Sequence, residues 1–217
     1  MIPIEKALDL VLGNTRPLPA ESIDFTEASG RLLREDVVSD LDLPPFSRSA
    51  VDGFALRALD LESVPTTLRI VGTIPAGSFP DFQIGPGEAA SIMTGAPVPE
   101  GADAVQMVEH TESTSEAVVV RKDVRSGQNI APKGSEVRVS DTVLRSGTRL
   151  DPAAVAVLAT VGKTKVSVGR RPEIAIVATG DELVHPSATP GPGQIRNSNG
   201  FSLMAQCAEV GAAPRYL

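Results

Sequence analysis

Residues 173–184 read EIAIVATGDELV, and this stretch decides the class of fold. The run 173–179 is short, continuous and apolar, and a glycine follows it. That pattern predicts a parallel strand buried on both faces. The turn Thr179, Gly180, Asp181, Glu182 lies at its carboxyl end, the edge at which open α/β sheets bind ligands. Downstream, Asn197, Ser198 and Asn199 cap a predicted helix over about 200–210. Its apolar face carries Leu203, Met204, Cys207 and Val210, and Gly211 ends it. Arg215, Tyr216 and Leu217 read as the start of another strand. One β-α unit cannot cover both faces of a sheet, so the pattern predicts an α/β domain that is still unfinished at residue 217.

Upstream of this stretch, Asp151 and Pro152 open a second predicted helix through Thr160, with Asp151 as N-cap, Pro152 in the first turn and Gly162 past the end. Nearly all its faces are apolar, which predicts burial between domains or subunits. Further back the texture changes. Short β-rich runs at 50–56, 68–74, 88–93, 104–108 and 117–121 alternate with Pro/Gly turns such as Pro75-Ala76-Gly77 and Gly85-Pro86-Gly87. This predicts a small β-barrel-like or sandwich domain at 45–138. At the start, Ile4, Leu8, Val11 and Leu12 share one face of a short amphipathic helix over 3–12, stopped by Gly13-Asn14 and by Pro17 and Pro19. Ile23 and Phe25 alternate as a strand does; the form of 26–38 stays open. The sequence thus reads as a mixed α/β, multi-domain chain. Segments 1–44 and 139–169 form one helix-containing part, 45–138 is inserted into it, and 170–217 begins the α/β domain.

Composition bounds the function. In 217 residues, 41% are hydrophobic and 22% charged, as in soluble globular proteins. Aromatics are 3% with no Trp, so the core must be aliphatic. A net charge of -7 argues against a nucleic-acid partner. The single cysteine, Cys207, excludes an internal disulfide and a Cys-rich zinc site and fits a cytoplasmic protein. Glu5, Lys6 and Asp9 interrupt the first apolar run, against a signal peptide. No stretch approaches the ~20 apolar residues that span a bilayer, so no membrane partner is expected.

The candidate chemistry lies in a few polar groups. Asp181 and Glu182 suit a hard cation such as magnesium, or work on a phosphoanhydride; the same pair also suits an ordinary exposed turn. Thr94-Gly95-Ala96 offers a hydroxyl and backbone N–H groups to an oxyanion, though a plain turn is the commoner use of such residues. Asp52 and Gly53 fall inside a predicted strand, where glycine often marks a bulge. Lys133, Gly134, Ser135 and Glu136 form a polar loop with both signs of charge, by spacing an ordinary surface loop. His110 and His185 lack metal-ligand spacing, and Cys207 reads as packing. There is no P-loop, nucleophile elbow or HExxH motif.

Taken in order, LPPFSRSAVDGFALR (43–57), IPAGSFP (74–80), GEAASIMTGAPVPEGADAVQMVE (87–109), GTRLDPAAVAVLATVGKTKVSV (147–168), RRPEIAIVATGDELV (170–184) and GQIRNSNGFSL (193–203) resemble the molybdopterin molybdenumtransferases. This is the MoeA family, which includes the E domain of gephyrin. The resemblance implies insertion of molybdenum from molybdate into adenylylated molybdopterin, with release of AMP and a divalent cation, usually magnesium. It implies a homodimer whose helix-containing segment dimerises, an inserted β domain, a Rossmann-like molybdopterin-binding domain, and a cleft that both subunits build. The upstream adenylyltransferase is an implied partner.

Residue by residue, Asp52 matches the family's MDG carboxylate, Thr94 its TGA threonine, and Glu182 its TGDEL glutamate, with Gly180 and Asp181 beside it. Glu182 would assist metal or molybdate handling. Ser198 and Asn199 match the SN motif that would face the same cleft. Two positions depart: Glu136 stands for a usual aspartate, and Arg48 for a usual asparagine. The resemblance implies a transferase of which this chain is the front part, inactive alone. The alternative is a non-catalytic dimerising scaffold or binding protein of the same fold, favoured by Arg48 and Glu136 and opposed by Asp52, Thr94 and Glu182.

Overall fold

The computed structural model describes residues 2–217. The fold is mixed α/β with few helices. In chain order, α1 (Ile4–Asn14), β1 (Ala20–Asp24) and β2 (Val37–Val38) come first. Then follow β3 (Arg48–Ser49), β4 (Gly53–Leu56), β5 (Thr66–Ile74), β6 (Glu88–Ile92), β7 (Ala104–Met107), β8 (Thr111–Ser113), β9 (Ala117–Val120) and β10 (Ile130–Ala131). The chain continues through β11 (Thr142–Leu144), α2 (Pro152–Thr160), β12 (Lys165–Gly169), β13 (Glu173–Ile176), β14 (Leu183–Val184), β15 (Ile195–Arg196), α3 (Asn199–Glu209) and β16 (Ala213–Tyr216). Two compact units form: Ser39–Asp141 is one, and Met1–Val38 with Thr142–Leu217 is the other.

Ser39–Asp141 is organised by one sheet in the order β7-β4-β6-β5-β9-β8. Its two edge strands, β7 and β8, are joined through the 3-10 turn Val108–His110 alone. Six flat strands would hold those edges about 24 Å apart. The four chain steps from Met107 to Thr111 reach at most about 14 Å, so the sheet must curl. All four residues of β4 are buried. Phe54 and Leu56 point into a cluster with Leu61, Leu68, Val118 and Val120. Ala55, on the opposite face, joins Ile74, Ala90, Ile92 and Val105. The period of two thus feeds two aliphatic cores from one central strand, as the scarcity of aromatics demanded.

The predicted strand over 50–56 divides. Ser49 Oγ donates to the Val51 carbonyl at 2.6 Å and accepts from the Val51 N–H at 3.3 Å, which turns the chain out of β3 before β4 begins at Gly53. Gly53 is not a bulge. Its register runs unbroken, opposite Ile92 on β6 and Met107 on β7. The glycine is there because a Cβ would lie 1.9 Å from the Gln106 carbonyl oxygen.

In the other unit, β1 pairs antiparallel with β12, and β2 with β11. The Glu35 carboxylate accepts from the Ser167 N–H at 2.7 Å and pairs with Lys163 Nζ at 3.0 Å, tying the stretch before β2 to β12. Helix α2 is capped as its sequence indicates: Asp151 Oδ1 accepts from the Ala154 N–H at 2.8 Å and Pro152 fills the first turn. Within its own unit the cover is partial: Ala154 and Leu158, an i, i+4 stripe, are buried, Val155 and Val157 are half-buried, and Ala153, Ala156 and Ala159 are exposed. Helix α1 runs on through Gly13 to Asn14 and ends where Thr15 turns extended, ahead of Pro17. None of its residues is buried, and Ile4 is 83% exposed.

The strand at 173–176 is parallel, pairing with β16 in the register Glu173↔Ala213 to Ile176↔Tyr216. Helix α3 connects the two. Burial on both faces is not found: Ile176 is buried, but Glu173 and Ala175 are exposed and Val177 is 63% exposed. One neighbouring strand and one helix cover one face of β13 and leave the alternate side chains open. The packed stripe of α3 also differs from the expected one. Gly200 is buried and Met204 and Cys207 are half-buried, whereas Leu203 is exposed and Val210 is 78% exposed. The stripe is set by Gly200, where a Cβ would lie 2.8 Å from the Tyr216 ring and 2.9 Å from Asn197 Nδ2.

Candidate functional sites

Asp52 and Thr94 are 42 residues apart in sequence and meet in space. Asp52 sits between β3 and β4, held by the Ser49 turn on one side and by its own carbonyl, which accepts from the Val108 N–H at 3.1 Å, on the other. Thr94 begins a tight turn after β6, closed by the Ala96 N–H to the Met93 carbonyl at 3.0 Å. Gly95 takes φ +83° there, a conformation that favours glycine. Asp52 Oδ1 accepts from the Thr94 backbone N–H at 2.7 Å and from Thr94 Oγ1 at 2.9 Å. Those two bonds, the backbone one first, hold the Asp52 carboxyl below the ordinary aspartate range against a smaller desolvation effect.

This corrects the idea of the Thr-Gly turn as an oxyanion cradle. The Thr94 N–H is spent on Asp52, and the Gly95 and Ala96 N–H groups on the Ser49 and Met93 carbonyls. The turn instead fixes an ionised carboxylate that remains exposed, with one of its two oxygens carrying both protein bonds. Such a group can accept a proton or a hydrogen bond from a bound molecule.

Glu136 lies in the same unit. Its Oε1 is 3.1 Å from Arg48 Nη2. The loop that carries it is no loose surface loop. Gly134, at φ +67°, donates to the Pro44 carbonyl at 2.9 Å, and Glu136 N–H to the Leu43 carbonyl at 2.9 Å. Lys133 Nζ pairs with Asp42 at 3.5 Å.

The corner at 179–182 belongs to the other unit. The Leu183 N–H donates to the Gly180 carbonyl at 3.0 Å, closing a turn with Asp181 and Glu182 at its tip, both exposed. Beside it is a cleft of about 200 Å³ formed by the carboxyl end of β13, Leu183, β15 and the start of α3. Thr179, Ser198 and Asn199 line it; Gly180, Asp181 and Glu182 are not among its lining residues. Among the described residues no three His, Cys, Asp or Glu side chains gather to form a ready-made metal cage. Two carboxylates on one turn still suit magnesium, which typically takes one or two protein carboxylates and fills its other positions with phosphate oxygens and water.

Asn197, one of the three residues expected to cap α3, does more than cap it. It is 5% exposed. Its Oδ1 accepts from the Gly200 N–H at 3.0 Å, so Asn197, not Ser198, caps α3. Its Nδ2 donates to the Tyr216 hydroxyl at 2.7 Å, pinning the helix start to β16. That frees the Ser198 and Asn199 side chains to face the cleft.

An inserted curled sheet with an anchored carboxylate, and a βαβ unit with an acidic corner, define a segmented mixed α/β protein. Residues 2–162 match the MoeA N-terminal region (domain I and II). A molybdopterin molybdenumtransferase of Staphylococcus aureus is 37% identical over 97% of this chain and 51% of its own length. One of Bacillus subtilis is 38% identical over 100% of this chain and 52% of its own. The crystal structure of the molybdopterin biosynthesis MoeA protein of Pyrococcus horikoshii OT3 superposes with a TM-score of 0.91 at 34% identity, over 100% of this chain and 59% of that one. This chain belongs to the MoeA family, and it spans about half the length of the curated relatives it matches.

Proposed function

We propose that this chain is the front part of a molybdopterin molybdenumtransferase, which inserts molybdenum from molybdate into adenylylated molybdopterin and releases AMP. The observation that carries the proposal is the Asp52–Thr94 contact. Two matched residues far apart in sequence meet through two hydrogen bonds, and they present an ionised, accessible carboxylate.

In this reading Asp52 orients the substrate or takes up a proton as the phosphoanhydride is hydrolysed, and Thr94 fixes the direction of its carboxylate. Glu136 supplies a second carboxylate from the same unit. Thr179, Ser198 and Asn199 bind the substrate in their cleft, and Gly180 lets the chain turn toward it. Asp181 and Glu182 would hold magnesium, which supplies charge neutralisation on the phosphoanhydride when bound. The protein acts as a cytoplasmic homodimer that receives its substrate from the adenylyltransferase acting before it. Support for the dimer comes from α1, none of whose residues is buried within its unit and whose Ile4, Leu8, Val11 and Leu12 are exposed. The 217-residue chain alone is expected to be inactive.

The scaffold reading rests on Arg48 and Glu136, which pair with each other at 3.1 Å and leave the Asp52–Thr94 contact intact. The test is molybdate-dependent AMP release by a protein of the relatives' full length. Loss of that activity in Asp52→Asn would support the proposal; full activity in that variant would oppose it.

A further inference from the structure

Among the ion pairs of the described residues, Arg48–Glu136 has a feature the others lack: it joins a candidate site carboxylate to a cation whose backbone is independently fixed. Arg48 lies on β3, opposite Ala131 of β10. Ser47 Oγ accepts from the Lys133 N–H at 3.2 Å, and the Glu136 N–H reaches the Leu43 carbonyl at 2.9 Å. Both main chains are therefore held, and only the two side chains can move. The neighbouring acid, Asp42, is already engaged by Lys133 at 3.5 Å and by the Val139 N–H at 3.0 Å. Arg48 and Glu136 are left to each other.

Glu136 is an exposed side chain with three rotatable bonds, and Arg48 Nη2 is the one donor its carboxylate meets, at 3.1 Å. Without that donor nothing in the fold would choose among its rotamers. Shortening the side chain to aspartate withdraws the carboxylate by roughly 1.5 Å, a carbon–carbon bond length, which breaks the contact from the same backbone. Arg48 and Glu136 thus form one device.

We infer that Arg48 is a positioning residue for Glu136: it fixes that carboxylate in the place from which it serves the reaction. The inference rests on the role given to Glu136 above. Of the five guanidinium N–H donors, one is used on Glu136, so Arg48 holds that acid while its remaining donors stay available to a substrate oxyanion.

The test uses Arg48→Asn, Arg48→Lys, Glu136→Asp, Glu136→Gln and the double variant R48N/E136D in a protein of the relatives' full length. A positioning role predicts that R48N lowers kcat about fivefold with KM within about twofold, the most an exposed pair can contribute to holding one rotamer. R48K should recover to within about threefold of wild type. E136D should fall about tenfold, and R48N/E136D should be no worse than E136D alone. Unchanged kcat in R48N, or a double variant about fiftyfold down because the two losses multiply, would overturn the inference. Full activity in Glu136→Gln would instead remove the role of Glu136 itself, and absence of turnover in the wild type would remove the transferase reading.

A second measurement needs no turnover. In the 217-residue chain, rotation of the Arg48 guanidinium about its Nε–Cζ bond, read from 15N line shapes, should speed up about fivefold in E136Q, near the ceiling for an exposed pair. Identical line shapes in the two proteins would overturn the pairing on which the inference stands.

Discussion

Gly53→Ala is the sharpest test of how the fold sets Asp52. The added Cβ would lie 1.9 Å from the Gln106 carbonyl oxygen, 2.8 Å from its carbon and 3.1 Å from Met107 Cα. An ordinary contact needs about 3.4 Å or more, so β7 must retreat from β4 by roughly 1.5 Å. It cannot do so freely, because β4 pairs with both β6 and β7 and all four of its residues are buried. Overpacking a core without room to relax costs about 1–3 kcal/mol, and a clash against backbone lies at or above the top of that range. Taking about 3 kcal/mol, thermal unfolding should move down by roughly 10 °C. The control is Gly87→Ala, at φ +71° with nothing within 4 Å of the new Cβ. It carries left-handed strain alone, about 1–2 kcal/mol. Differential scanning calorimetry of the three proteins decides the matter. A midpoint for G53A within about 2 °C of wild type, or above that of G87A, would refute the close approach of β4 and β7.

Further tests follow from the same geometry. The Asp52 carboxyl titrates below the ordinary aspartate range because Thr94 donates twice to it, so its contribution to stability is present above that range and is lost as pH falls through the lowered value. In Thr94→Val the backbone donor remains and the hydroxyl is gone, so carboxyl 13C NMR should show the Asp52 midpoint moving part of the way up; an unmoved midpoint would refute the hydroxyl's share. Asn197→Ala removes the cap of α3 and the tie to Tyr216 together, and urea titration should find it about 1–2 kcal/mol less stable, whereas Ser198→Ala should lie within about 0.5 kcal/mol of wild type. Light scattering should give a dimer mass that falls toward the monomer when Ile4, Leu8 and Val11 are changed to Ser; a monomer in the unaltered chain at high concentration would count against the dimer.

The parts that were legible in the sequence are those governed by local rules. Asp151 and Pro152 announce α2, and β-rich runs between Pro/Gly turns announce β4 to β7, because caps and turns act over a few residues. Tertiary company was not legible. An apolar run such as 173–179 states that a strand forms, but whether Val177 is covered depends on how many neighbours β13 has. Likewise Leu203 and Val210 are apolar enough to be buried, yet the packed stripe of α3 passes through Gly200, where only a missing side chain lets Tyr216 approach. At the sites, residue type at 52, 94 and 182 suggested polar chemistry without saying that Thr94 would spend its donors on Asp52. That contact joins residues 42 positions apart and can be read only from the fold. Arg48 and Glu136 looked like two departures until the 3.1 Å contact joined them.

The central proposal is that the Asp52 carboxylate, fixed by Thr94, serves molybdenum insertion. The most direct measurement is AMP release from adenylylated molybdopterin, with and without molybdate, by wild type and Asp52→Asn of the relatives' full length. The expected result is molybdate-dependent release in the wild type and a fall of about a hundredfold or more in the variant, the scale of a lost acid–base group. Equal release by the two proteins, or release indifferent to molybdate in the wild type, would contradict it.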